Sequence, residues 1–246
     1  MSGALSREER KAELAAALAE IQERIATACA KAGRDPAEVQ LLPITKNFPA
    51  SDVALLTELG CTEFGESREQ EASAKAAELA EAGIHPRWHL IGRLQRNKAR
   101  AVLRWAGVIQ TVDSVRLAEA LAKAVAKARA EGEREDPLDV LVQLSLDGDP
   151  QRGGVPQDQL AELVAKITRS GELNLKGVMA VAPLGSNPHD AFGELAEVSA
   201  RLRNEHAGAV VVSAGMSGDL EAAIDHGSTC VRVGTSLLGG RRLTSP

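Results

Sequence analysis

Val39-Gln40-Leu41-Leu42-Pro43-Ile44-Thr45-Lys46-Asn47-Phe48-Pro49 decides how this chain is built. The run up to Thr45 is apolar and strand-like, and Asn47-Phe48-Pro49 forces a turn directly after Lys46. A nucleotide-binding doubly wound sheet would carry a glycine fingerprint at its first strand-to-helix turn. This turn has none, and neither GxGxxG nor GxxxxGK[ST] occurs elsewhere, so the open sheet is the weaker alternative. A lysine at the carboxyl end of a buried strand is expected to meet little water, and desolvation lowers an amine's pKa toward the range in which it attacks carbonyls. Lys46 is therefore a Schiff-base candidate, weighed against an ordinary surface lysine at a strand end.

Upstream, residues 7–32 carry Leu14, Leu18, Ile21 and Ile25 on one helical face with charged residues opposite, and Gly33 supplies a stop. Downstream, strand-type runs at 39–45, 61–65, 88–92, 108–113, 140–146, 175–182, 209–214 and 229–234 alternate with helical stretches. Those helices are expected over 50–60, 66–82, 94–105, 114–131, 156–170, 188–207 and 217–226. Strict alternation implies parallel strands, because each helix returns the chain to the same end of the sheet. Eight such units in 246 residues match a closed (β/α)8 barrel of the TIM type, with an extra N-terminal helix. No Pro/Gly/Ser-rich linker divides the chain, so one domain is expected over 1–246.

The formal net charge of -5 gives no basic field for nucleic acid or anionic lipid. With no tyrosine, three Phe and two Trp, stacking platforms for single strands are scarce as well. Cys29, Cys61 and Cys230 are odd in number and far apart, which disfavours disulfides and a zinc site and fits a reducing compartment. Residues 1–10 lack the apolar core of a signal peptide, and no run approaches the roughly 20 apolar residues of a membrane span. A soluble, cytoplasmic protein acting on small molecules is expected. The charged stretch 131–137 reads as a solvated helix end.

In such a barrel the chemistry lies at the carboxyl ends of the strands, and phosphate commonly binds after the seventh and eighth. Strand one ends in Lys46; the seventh gives Ser213-Ala214-Gly215-Met216-Ser217-Gly218-Asp219, and the eighth Val231-Arg232-Val233-Gly234-Thr235-Ser236. Gly215, Gly218 and Gly234 let backbone amides approach an anion, Ser217 and Thr235 add hydroxyls, and Ser217 is placed at a helix N-terminus. Taken singly, each is as well read as a cap or a turn. A lysine facing a phosphate cup specifies pyridoxal 5'-phosphate (PLP). Arg232, two residues before Gly234, shares its face and would meet the pyridine nitrogen, where a permanent cation opposes ring protonation and weakens the electron sink. The alternative is a salt-bridged arginine.

These residues resemble the pyridoxal phosphate homeostasis proteins, a PLP-binding single-domain family related to the amino-terminal barrel of alanine racemase. The resemblance covers nearly the whole chain. It rests on Leu42-Pro43-Ile44-Thr45-Lys46, on Phe64-Gly65-Glu66-Ser67-Arg68-Glu69-Gln70-Glu71, and on Trp88-His89-Leu90-Ile91-Gly92-Arg93-Leu94-Gln95-Arg96-Asn97-Lys98. Gly177-Val178-Met179-Ala180, the block from Ser213 to Ile224 and the block from Gly227 to Thr235 complete it. It implies an internal aldimine on Lys46, Arg232 at the pyridine nitrogen, phosphate on Ser217, Gly234 and Thr235, and Met216 along the ring, with Ser67 and Ser213 also in the cofactor site. Ser67 stands where the family usually has asparagine, and Arg93 where it often has proline.

The function implied is a PLP carrier in intracellular vitamin B6 homeostasis, with PLP and apo PLP enzymes as partners. A PLP-dependent amino-acid racemase is the alternative, and a barrel used purely as an interaction scaffold is a third. The alanine racemase resemblance implies a second catalytic base, a tyrosine, and this sequence has none. Of the five histidines only His89 lies near a predicted strand end, where a packed core residue is an equal reading. Without a partner domain over the site, a monomer is expected.

Overall fold

A computed structural model of the chain describes residues 5–149 and 151–240. The domain range 1–246 and the reading of residues 1–10 thus fall partly on 1–4, 150 and 241–246, which lie outside the described residues. Helix α1 (Arg7–Lys31) opens with a capping box: the Ser6 hydroxyl accepts from the Glu9 amide at 3.3 Å, and the Glu9 carboxylate accepts from the Ser6 amide at 2.8 Å. Leu14, Leu18, Ile21 and Ile25 form its buried stripe, as the spacing requires.

The strands are β1 (Gln40–Pro43), β2 (Glu63–Glu66), β3 (Arg87–Leu90), β4 (Ala106–Val112), β5 (Leu138–Gln143), β6 (Leu173–Met179), β7 (Val211–Ser213) and β8 (Cys230–Val233). Between and after them run α2 (Ala50–Glu58), α3 (Glu69–Glu81), α4 (Ala99–Val102), α5 (Val115–Ala130), α6 (Gln157–Ser170), α7 (Pro188–Glu205), α8 (Leu220–Asp225) and α9 (Thr235–Leu238). All pairings are parallel, in the order β1-β8-β7-β6-β5-β4-β3-β2. The ring closes where Ile44 bridges Gly65 and the Thr45 amide donates to the Gly65 carbonyl at 3.0 Å. The (β/α)8 barrel read from the sequence is the fold, α1 included.

Three elements differ from the sequence reading. The helix expected over 94–105 is a 3-10 turn, Arg96–Lys98, followed by the single turn of α4, because β4 begins at Ala106 and leaves no length for more. The helix expected from 217 starts at Leu220: the Asp219 carboxylate accepts from the Met216 amide at 2.6 Å and fixes 217–219 as a turn. The segment 235–238, not predicted, forms α9.

Two apolar clusters follow from strand alternation. Outward side chains such as Phe64, Trp88, Ile109 and Val140 pack against the helices in the main core, with Phe64 and Trp88 ring centroids 5.9 Å apart. Inside the ring, Leu42, Ile44 and Cys230 cluster with Ile91 and Val211. A β-carbon on Gly65 would collide with Ile44, so that glycine makes room for this inner plug. Much of the remaining interior is polar, which sets up the site.

Gly177 sits at the register shift between β5 and β6, with φ 146°, and a β-carbon there would collide with the Val211 backbone. Gly177→Ala should therefore destabilise the fold by about 2–3 kcal/mol, read as a lowered urea midpoint with an unchanged m value. A midpoint equal to that of the wild type would show that the bulge accommodates the methyl group.

Candidate functional site at the barrel mouth

Arg232 and Cys230 share the face of β8 that joins the inner plug, so the Arg232 side chain is inside the barrel. It is 4% exposed. Its Nη1 donates to Ser213 Oγ at 2.7 Å and its Nη2 to the Ala180 carbonyl at 2.8 Å. Among the described residues no carboxylate reaches it within ion-pair distance, and Asp219 acts on it only at longer range. Burial pushes its pKa down, yet a guanidinium starts so high that it remains a cation. The salt-bridged alternative thus does not apply.

The hydrogen bonds beyond Ser213 have a forced direction. Arginine only donates, so the Ser213 hydroxyl spends its own proton on Gln110 Oε1 at 2.7 Å. The Gln110 amide nitrogen then faces His89 Nδ1 at 2.9 Å, and that nitrogen must accept. The His89 proton is left on Nε2, which points at Glu63 Oε2 at 2.6 Å. A one-way chain thus crosses the barrel from Arg232 to the start of β2. The bond from His89 outweighs burial and holds the Glu63 carboxyl down at about 2, with Gln40 and Arg87 contributing.

Lys46 lies beyond the end of β1 and is exposed, so the expectation that strand burial strips it of water is not met. Burial stops one residue earlier. Thr45 is fully buried; its hydroxyl donates to Glu66 Oε1 at 2.7 Å, and its carbonyl accepts from Lys75 Nζ at 2.8 Å. Lys75, from α3, also pairs with Glu66 behind the sheet, and burial pushes the Glu66 carboxyl up even beside that ammonium. Asn47, the next residue after Lys46, takes φ 65°, and its amide donates to Glu71. The lysine therefore projects from a strand end fixed on both sides.

Beside Lys46 at the mouth lie the two turns that follow β8, the neighbour of β1, and β7. Gly215 has φ 90°, a β-carbon there would collide with Ala223, and its carbonyl accepts from the Arg232 amide at 2.9 Å. Ser217 is half-buried and Met216 is 40% exposed. Ser217 precedes a six-residue helix by three positions, so the expected helix N-terminus at Ser217 is corrected to a turn. Gly234 packs against Ile44, and Thr235 is exposed at the start of α9. The amides of Ser217, Gly234, Thr235 and Ser236 find no acceptor among the described residues. Helix α1 clamps both turns: Arg24 donates to the Ser217 carbonyl at 3.0 Å, and Arg10, paired with Asp52, donates to the Leu238 carbonyl at 3.0 Å.

Arg232 and Ser213 thus meet directly, and Gly234 stacks on the plug beside them. Ser67 is half-buried in a groove shared with Arg68, Glu71 and Arg93. The sequence reading missed Gln110, Glu63 and the Glu66–Lys75 pair. The available signal was a polar residue inside an apolar strand, as in Val108-Ile109-Gln110, and a lysine on the alanine-rich face of α3.

A family model for the alanine racemase N-terminal domain matches residues 17–242. The pyridoxal phosphate homeostasis protein of Mycobacterium tuberculosis is 51% identical over 251 residues, covering 97% of this chain and 96% of that protein. Among solved structures, an unknown protein from Bifidobacterium adolescentis superposes with a TM-score of 0.84 at 28% identity, covering 96% of this chain and 98% of that one. PipY of Synechococcus elongatus with PLP bound gives 0.78 at 30%, covering 92% and 100%.

Because the Glu63 carboxyl is held low in the fold, its bond to His89 contributes stability that is full above the ordinary carboxylate range and is lost as the pH falls toward about 2. Glu63→Gln should therefore be less stable than wild type at pH 7, with the gap closing in acid, measured by urea denaturation across pH. A gap that stays constant with pH would refute the depressed carboxyl.

Proposed function

The chain belongs to the pyridoxal phosphate homeostasis protein family, and from that premise we propose that it holds PLP at the barrel mouth as an intracellular carrier in vitamin B6 homeostasis. The observation that carries this reading is Arg232, a buried cation with neutral partners and N–H groups beyond the two it spends on Ser213 and Ala180, near the end of the barrel where this fold binds ligands. When bound, PLP supplies an aldehyde and an electron-withdrawing pyridine ring. Lys46 provides the amine that takes the aldehyde. Arg232 would be the residue that meets the pyridine nitrogen, as a permanent cation that donates hydrogen bonds and opposes a further proton there. Ser213 acts through Arg232 by fixing its Nη1.

The turns fit the phosphate. Gly215 and Gly234 allow close backbone approach, amides in both turns are uncommitted, and the Ser217 and Thr235 hydroxyls add donors. Met216, already exposed, lines the ring, and Ser67 closes the side toward β2 and β3. The protein acts as a cytoplasmic monomer, one barrel over 1–246, that passes PLP to apo PLP enzymes. Racemization is the weaker reading, because the sequence offers no tyrosine for the second face and Arg232 leaves the ring a poor electron sink. No described helix is long and apolar enough to cross a membrane.

Borohydride reduction of the PLP-treated chain, followed by peptide mapping, should place a pyridoxyl group on the peptide carrying Lys46. Lys46→Ala should lose the visible band and still bind PLP non-covalently. A label on other lysines alone would defeat the assignment.

Charge-assisted hydrogen bonds to the phosphate, worth about 1.5–3 kcal/mol each, supply most of the retention. In equilibrium dialysis Ser217→Ala/Thr235→Val should weaken PLP by about 10- to 1000-fold, with the backbone donors keeping the remainder. Equal affinity for pyridoxal and PLP, or an unaltered double variant, would move the phosphate elsewhere.

A further inference from the structure

Away from the mouth, two helix ends converge three groups of ligand chemistry. Asn187 caps α7 by accepting from the His189 amide at 3.1 Å, so His189 rises from a fixed first turn. Asp225 is the last residue of α8; His226 follows it, its amide donating to the Ala222 carbonyl at 3.2 Å. His189 Nδ1 and His226 Nε2 are 3.2 Å apart, and His189 Nδ1 and Asp225 Oδ2 are 3.7 Å apart. All three donor atoms lie within 4.8 Å of one another. The imidazole planes cross at 67° with centroids 5.3 Å apart, so the rings meet edge-on with their nitrogens converging.

We propose that His189, Asp225 and His226 form a binding site for a divalent transition metal of the zinc class. Four ligands about 2.0–2.1 Å from a tetrahedral ion stand roughly 3.3–3.4 Å apart, and the two measured spacings bracket that edge. Two imidazoles and one carboxylate select zinc, copper, nickel or cobalt over calcium and magnesium, which prefer all-oxygen shells. Water takes the fourth position. The adjoining groove between α1 and α8 presents Glu20, Glu23 and Glu221 beside Asp225, against Arg24, which is paired to Glu221, and Lys31, so its carboxylates outnumber its cations.

His226 leans on α7 at Gly193, where a β-carbon would stand 3.6 Å from Cε1 and 3.7 Å from Nδ1; this leaves Nε2 for the metal. No sequence signature marks the site, because its halves are 36 residues apart and only the packing of α7 on α8 joins them. A bound ion would tie α8 to α7, and α8 directly follows the turn at 215–219. The site is separate from Lys46 and Arg232, so it stands or falls independently of the PLP reading.

The test is calorimetric titration of ZnCl2 into the tag-free, chelator-stripped full-length chain. One equivalent should bind to wild type, with a rise in melting temperature by mass action. His189→Ala and His226→Ala should each weaken binding at least about tenfold, the lower bound for losing even an outer-shell partner of a metal site. His189 is exposed and His226 half-buried, and circular dichroism checks that each variant keeps the fold. Co2+ should give a visible spectrum without a thiolate charge-transfer band. A thiolate band, from Cys61 for example, zinc binding unchanged in the double histidine variant, or no binding at 100-fold molar excess of zinc would each overturn the site.

Discussion

The guanidinium of Arg232, buried inside the barrel without a carboxylate beside it, is the constraint around which the interior is organised. Taking a cation out of water costs several kcal/mol even after relaxation, and neutral partners recover only part of that. The interior of such a barrel is ordinarily filled by layers of branched aliphatic side chains. Here the plug of Leu42, Ile44 and Cys230, with Val108 and Leu141, fills only part of the interior, and Ser213, Gln110 and His89 share the rest as a donor chain ending on Glu63. The outer core between sheet and helices is correspondingly dense and apolar, and it carries the stability that the polar interior does not.

The same constraint explains the extra helix. A fixed cation at the mouth is useful only if the turns beside it are fixed as well, and two of the segments bearing those turns, α8 and α9, are too short to hold themselves. Helix α1 lies across them. Arg24 takes the Ser217 carbonyl and Glu221, and Arg10 takes Asp52 and the Leu238 carbonyl, so one 25-residue helix positions both turns from outside. On the opposite wall Lys75, reaching in from α3, does the same for the end of β1 through the Thr45 carbonyl.

The barrel was legible because its signals are periodic: apolar strand runs alternating with amphipathic helices, and Lys46, Arg232 and Gly234 placed by strand ends alone. What escaped depends on tertiary partners. Ser217 reads as a helix cap in sequence because serine, glycine and aspartate precede an apolar run, but the Asp219 carboxylate bonding Met216 makes the segment a turn instead. Gln110 shows in sequence only as a polar residue in an apolar strand, and its meaning and that of Glu63 come from His89, which joins them inside the closed ring. Lys46 shows the reverse error: a strand end was equated with a dry environment, whereas burial ends at Thr45.

That last difference bears on what the site is built to do. An enzyme that works through a lysine gains from a dry pocket, because desolvation tunes the amine and keeps water from the covalent link. Here the buried group is the one that never changes state, Arg232, and Lys46, the proposed tether, stands where water reaches it. Under the proposed reading, phosphate and ring are gripped by rigid elements, while the covalent link stays open to hydrolysis. Retention by non-covalent donors with a reversible tether suits a carrier that must surrender its cargo. The same arrangement would be a poor one for turnover, since a hydrated lysine and an unprotonated ring both work against withdrawing a proton from a bound amino acid.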